Sequence, residues 1–306
     1  KFHLEALQKN GFKIEAIGTR KNSQNCFNIA KDFDLLEKYC PGGWEEVLEK
    51  NLDAFCICID IKSVNLVLEK ALNLKKPILI EKPVVYQLNL MEKFRAHINQ
   101  NNIFVAFNRR YYQTVNEAKR LCQESTGGTI YVNVPDSLRG AKNFLSNGCH
   151  MVDTLIYILG DFEIKKTLRR YSRFDLDSIT SICENKKWKI LFNAHSLIPA
   201  NFSISINTDK KVFELKPLEK LSIYNDLKIS EPNESKPIRE YLPSLEKSIY
   251  ESTIFKPGFD EMYKSFNRFV NKKEFGSICT IDDAKNTLKV CWELIGDEFK
   301  YKFNDL

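Results

Sequence analysis

The chain has 306 residues, 43% of them hydrophobic, and a formal net charge of +6. That length suggests about two domains, and the basic residues form only short clusters such as Lys75-Lys76, Arg109-Arg110 and Arg169-Arg170, which read as solvated faces and not as a nucleic-acid surface. Nine cysteines without a Cys-x-x-Cys pair or Cys/His ligand spacing argue against a disulfide framework and for a reducing cytoplasm, with no metal site expected; no apolar run reaches transmembrane length and no signal peptide is seen, so no membrane partner is expected.

The apolar spacing of Phe2, Leu4 and Leu7 predicts a helix over 2–10, stopped by Gly11. Residues 13–18 follow as a strand. The helix begins in mid-pattern, so a first strand and a glycine-rich turn are expected before Lys1. In a dinucleotide fold the end of the second strand meets the ribose, and NAD-preferring folds carry Asp or Glu there. Here Thr19, Arg20 and Lys21 stand instead. They suit charge-assisted hydrogen bonds to a 2′-phosphate, which favours NADP over NAD; a plain basic turn is the alternative.

Helices are predicted over 22–33, 34–40 and 44–49, broken by Pro41-Gly42-Gly43. Residues 53–59 form a near-continuous apolar run, expected as a strand in which Cys56 and Cys58 act as small hydrophobes. Ser63 is expected to cap a helix carrying Val64, Val67, Leu68, Ala71 and Leu72 on one face. Ile78-Leu79-Ile80 then reads as a buried parallel strand, closing a βαβ unit. Glu81 and Lys82 follow at its carboxyl end, and Pro83 restricts Lys82 to an extended backbone. Open α/β sheets bind ligands outside the carboxyl ends of their strands, which places Lys82 to face one. A solvated Glu-Lys pair is the alternative.

A helix is predicted over 87–99, with Leu88, Met91, Phe94 and Ile98 inward, and a strand over 103–107. Beyond Asn108 the pattern changes to strands over 129–134, 162–168, 178–184, 187–194 and 202–207, the last alternating Phe202, Ile204 and Ile206 with polar residues. Asp209-Lys210 and Asn225-Asp226 read as turns between strands. Helices over 260–271 and 282–299 are expected to cover part of that antiparallel sheet. Between the strands a helix is predicted from Asn147 to Leu159, ending at Gly160. Met151, Leu155, Ile158 and Leu159 form its apolar face, and His150, Asp153, Thr154 and Tyr157 fall on another. A buried His needs a partner or a ligand; a core His paired with Asp153 is one reading.

Three separated motifs carry a family resemblance. Glu81-Lys82-Pro83 follows an apolar strand. Asn108-Arg109-Arg110 precedes an aromatic pair, and Gly148-x-His150-x-x-Asp153 is followed by an apolar helix and Gly160-Asp161. Together these resemble the Gfo/Idh/MocA (glucose-fructose oxidoreductase / inositol dehydrogenase) family over nearly the whole chain. The resemblance implies a Rossmann doubly wound parallel sheet over 1–107, followed by an α+β domain with an open antiparallel sheet over 108–306. It implies NAD(P)-dependent oxidation or reduction of a secondary alcohol on a sugar, nucleotide-sugar or cyclitol derivative. Lys82 would contact the substrate hydroxyl and His150 would act as acid/base. Thr19, Arg20, Lys21, Ile59, Glu81, Lys82 and Asn108 would face the cofactor, and Arg109, Tyr112, Asn147 and Asp153 the substrate. A homo-oligomer through the second sheet is a further expectation. Two departures stand out. Ile59-Asp60-Ile61 replaces the family's Thr-Pro-Pro, and Ser146 stands where its dehydrogenases carry Asp. They keep open a non-catalytic nucleotide-binding regulator on the same fold.

Overall fold

The computed structural model describes residues 1–96, 103–136, 140–172 and 175–296. The expectations for Ile98 and for residues 297–299 lie outside them. The chain divides into two compact units. The first takes in Lys1–Tyr111 and Ile254–Lys289, the second Tyr112–Thr253 and the described residues from Val290 onward.

The first unit begins with α1 (Phe2–Lys9), α2 (Gln24–Asp32) and α3 (Trp44–Leu48). Residues 34–40, expected as a helix, give only a 3₁₀ turn over Leu36–Lys38. Residues 13–18 run extended but form no full strand; their one ladder contact is the parallel bridge from Ile17 to Tyr39. Next come β1 (Phe55–Ile57), α4 (Ile61–Leu72), β2 (Ile78–Ile80), α5 (Leu88–Ala96) and β3 (Ile103–Val105). The three strands pair in parallel, with β2 in the centre and all three of its residues buried. Asp60, not Ser63, caps α4, accepting from the Lys62 backbone N–H at 2.9 Å.

The late helix α9 (Phe259–Lys272) packs in this unit and does not cover the second sheet, as had been expected. Its Phe259, Met262, Tyr263, Phe266 and Phe269 recur at helical spacing and join Ala6, Leu7, Leu79 and Phe104 in one core cluster. Phe104 meets Phe269 edge-on at 4.5 Å between ring centres. Burying each such ring contributes about 1.5–3 kcal/mol, which is why a segment so distant in sequence returns to the first sheet.

The second unit opens with α6 (Gln113–Glu124), which carried no expectation from the sequence, and β4 (Gly128–Asp136). A helical run follows through α7 (Ala141–Asn143), a π turn over Phe144–Gly148, and α8 (Cys149–Leu159). Strands β5 (Glu163–Ser172), β6 (Asp175–Glu184), β7 (Trp188–Ser196), β8 (Ser203–Thr208), β9 (Val212–Leu215), β10 (Lys220–Ser230) and β11 (Glu240–Tyr250) complete it, and α10 (Ile281–Ile295) ends the described chain. The sheet order is β11-β10-β9-β8-β4-β7-β6-β5, antiparallel apart from the β4–β7 pair. Asn225-Asp226, expected as a turn, lies inside β10 at a register shift against β11. One extra residue there bends the strand without ending it.

Candidate functional site

In the first unit, residues 14–18 and β1 flank a cavity of about 560 Å³, lined along its length by Ile14, Ala16, Phe55 and Ile57. A dinucleotide belongs outside the carboxyl ends of the strands. Thr19 and Ile59 are found there, on the same cavity. Thr19 accepts from the Trp44 backbone N–H at 2.7 Å through its carbonyl. Arg20 and Lys21 are exposed. The glycines explain how this turn is held: a Cβ on Gly18 would come within 2.6 Å of the Gly43 carbonyl, and Gly43 itself has φ +92°.

Glu81 and Lys82 leave the end of β2 partly buried. One Glu81 oxygen accepts from the Lys82 backbone N–H at 2.9 Å, and the other lies 2.7 Å from His3 Nε2. Burial alone would raise the Glu81 carboxyl; the hydrogen bond and charge of His3, with Lys82, outweigh it and hold it low. Asn108 is buried, and its side chain donates to the Pro257 carbonyl at 2.9 Å, pinning the returning segment. Arg109 is partly buried beside it.

His3 opens onto a cluster that local sequence patterns did not disclose. Its Nδ1 is 2.6 Å from the Tyr263 hydroxyl, which is 3.1 Å from Cys56 Sγ; Cys58 Sγ lies 3.6 Å from Cys56 Sγ. Burial pushes His3 down, but hydrogen bonds with Cys56 and Glu81 overcome it and raise the imidazole to about 9. The Cys58 hydrogen bond, against burial and with the help of His3, pulls Cys56 down to about 5. The contacts therefore link His3, Tyr263 and Cys56 in one chain, with His3 Nε2 also paired to Glu81. Cys56 thus has hydrogen-bonding partners at its sulfur and does not serve only as the small hydrophobe expected, and Cys58 is exposed.

In the second unit, helix formation starts well before Asn147. Gly140 (φ +109°) turns the chain in, and the Asp175 carboxylate accepts from the Ala141 backbone N–H at the start of the run at 3.3 Å and from the Leu176 N–H of its own strand at 2.8 Å. The π turn over Phe144–Gly148 then inserts its wider winding immediately before His150. Such turns are rare and frequent at functional sites. It contains Ser146, where the family pattern departs, with Asn147 beside it. Gly148 is required by packing, since a Cβ there would lie 2.5 Å from the Phe144 ring.

His150 is 8% exposed, and Asp153 and Thr154 are fully buried. Thr154 donates to the His150 carbonyl at 2.7 Å, and Tyr157 donates to Asn116 at 2.7 Å. The helix is buried on both the faces distinguished in the sequence, so its polar stripe lies within the protein. Tyr112 is buried at the start of α6, its hydroxyl 3.5 Å from Glu219. The structure thus gathers Asn147, His150 and Asp153 on one helical run, with Tyr112 at the head of another.

No family model and no curated protein matches the sequence. Solved structures do match. UDP-N-acetylglucosamine 3-dehydrogenase GnnA from Acidithiobacillus ferrooxidans is 12% identical, with 96% of this chain and 92% of that one covered at a TM-score of 0.73. The dehydrogenase MviM from Clostridium difficile is 17% identical, with 96% and 94% covered and a TM-score of 0.73. A Gfo/Idh/MocA family oxidoreductase from Vibrio cholerae is 14% identical, with 99% and 94% covered and a TM-score of 0.74. At such identities the likeness speaks for the architecture: this chain has the fold of the Gfo/Idh/MocA oxidoreductases.

Proposed function

We propose that this protein is an NAD(P)-dependent oxidoreductase that moves a hydride to or from a secondary alcohol of a sugar, nucleotide-sugar or cyclitol derivative. The observation that carries the reading is Lys82, at the carboxyl end of the central strand of a parallel sheet, beside a Glu81 held ionised by His3. We assign dinucleotide binding to the unit that begins at Lys1 and substrate binding to the unit that begins at Tyr112.

The residues of the first unit fit a dinucleotide. Thr19, Arg20 and Lys21 form an open basic turn at the end of an extended segment, suited to a 2′-phosphate, so NADP is favoured over NAD. Ile59 supplies an apolar wall. The nicotinamide, when bound, supplies the hydride acceptor or donor. Lys82 has three N–H donors, and one of them on the reacting oxygen stabilises its alkoxide character. His150 takes the hydroxyl proton in oxidation and returns it in reduction, the exchange to which an imidazole side chain is suited. Asn147, Asp153, Tyr112 and Arg109 position the substrate.

The regulator reading keeps one observation in its favour: a neutral Ser146 lies in the π turn where a carboxylate would orient the catalytic pair. A second copy of the chain fits the outer face of the second sheet. There Tyr131, Leu191 and Ile182 lie side by side on β4, β7 and β6 and are 47, 40 and 45% exposed, a contiguous apolar row of the kind that marks an interface. Among the described residues no helix is long and apolar enough to cross a membrane; the cytoplasmic assignment rests on the unpatterned cysteines.

The enzyme reading is tested by a double-mutant cycle. Lys82→Ala and His150→Ala should each lower turnover by about a hundredfold or more, and their losses should not add. Additive losses, or full turnover in either variant, would remove the pair from the chemistry.

A further inference from the structure

The cluster around His3 touches the site proposed above through Glu81 but carries no step of the hydride transfer, and it has the composition of a metal site. His3 on α1 and Cys56 and Cys58 at the end of β1 each offer one donor atom, all within 4.8 Å of one another. Cys56 and Cys58 are two apart in an extended segment, so their side chains share a face. Two chemistries suit such a pair. Extended backbone separates their Cα atoms by roughly 6.6 Å, at the far end of the range a disulfide spans. A tetrahedral zinc site with bonds of about 2.3 Å places its sulfurs roughly 3.8 Å apart. The observed separation is 3.6 Å, which favours the metal.

The imidazole is arranged to match. A metal-bound histidine generally donates its other ring N–H to a carboxylate, which fixes its tautomer and orientation. His3 Nε2 is so placed on Glu81, at 2.7 Å. Nδ1 is turned towards the thiols, and the Tyr263 hydroxyl bridges it to Cys56 at 2.6 and 3.1 Å. An ion between nitrogen and sulfur takes the place of those two hydrogen bonds. Two thiolates and an imidazole select a thiophilic cation and reject magnesium and calcium.

We infer that His3 Nδ1 and the sulfurs of Cys56 and Cys58 bind one zinc ion, with Glu81 orienting the imidazole and the fourth position open to water. Ligands bind deprotonated. Any proton a ligand gives up on binding passes to solvent. The site is independent of the oxidoreductase reading and survives its failure.

The test is calorimetric titration of the chelator-treated protein with zinc chloride, and with cobalt(II) as a spectroscopic stand-in. One zinc per chain is expected, with a thiolate-to-cobalt charge-transfer band. Because losing even an outer partner costs 10- to roughly 100-fold in affinity, Cys58→Ser should weaken binding by about a hundredfold or more. Cys58 is exposed, so that variant folds even if Cys56→Ser does not. Cys40→Ser, elsewhere in the unit, should bind as wild type. Zinc binding that survives Cys58→Ser and His3→Gln unchanged, a cobalt spectrum without thiolate transitions, or the absence of a stoichiometric site would overturn the inference.

Discussion

His3 and His150 both sit early in a helix and both are largely withdrawn from solvent, yet their surroundings are built differently. His3 faces a carboxylate, a phenol and two thiols contributed by three other segments, and it carries charge because those partners are themselves charged or polar. His150 lies in a helix whose first seven residues are all buried, behind a π turn and beside the fully buried Asp153. The first arrangement makes an electrostatic cluster that binds or stabilises. The second holds a single imidazole within a buried helix, the arrangement on which the proposed proton exchange depends.

The largest expected effect separates the two directly. His150→Ala should lower turnover by about a hundredfold or more while cofactor affinity stays close to wild type, read by steady-state kinetics and nucleotide titration. Ordinary turnover per folded molecule would make His150 a packing residue. Next comes the helix itself. Gly148→Ala drives a methyl into the Phe144 ring at 2.5 Å, and such overpacking costs about 1–3 kcal/mol. Urea unfolding should show that loss, and an unchanged midpoint would mean that the π turn yields without strain.

A smaller effect is expected at the basic turn. Arg20→Ala should weaken NADPH by about tenfold, the worth of one exposed charge-assisted bond of about 1.4 kcal/mol, and leave NADH nearly unchanged. Equal losses would remove the 2′-phosphate assignment. A further prediction concerns His3 and pH. Its pKa rises from 6.5 to about 9 on folding, so its charged interactions contribute fully below pH 6.5 and fade as pH climbs through 9. The stability lost in His3→Gln should therefore shrink from pH 6.5 to pH 9 in paired unfolding measurements. A loss that grows over that range would contradict the imidazolium assignment.

What the sequence revealed follows the same division. The strand Ile78–Ile80 and the helix ending at Gly160 were legible because a short apolar run before Glu-Lys-Pro and an apolar face closed by glycine are local patterns. The lysine and histidine motifs were legible for the same reason. The His3 cluster was not: Cys56, Glu81 and Tyr263 are separated from His3 by tens to hundreds of residues, and a cysteine in an apolar strand looks like packing. The return of α9 to the first unit is encoded only in the matching of its aromatic face to Phe104 and Leu79. The π turn leaves no periodic signal at all. Its nearest mark is Gly148, whose need for smallness appears only once Phe144 is in place.

The central claim, that this fold transfers a hydride, is tested most directly by isotope transfer. The protein is incubated with NADP⁺ and a panel of sugars and nucleotide sugars deuterated at their secondary carbinol carbons, and the mass of the nicotinamide product is measured. The account predicts that one substrate of this class passes its deuterium to the nicotinamide, and that Lys82→Ala abolishes the transfer. Tight nucleotide binding with no deuterium gained from any member of the panel would contradict it and leave the regulator in its place.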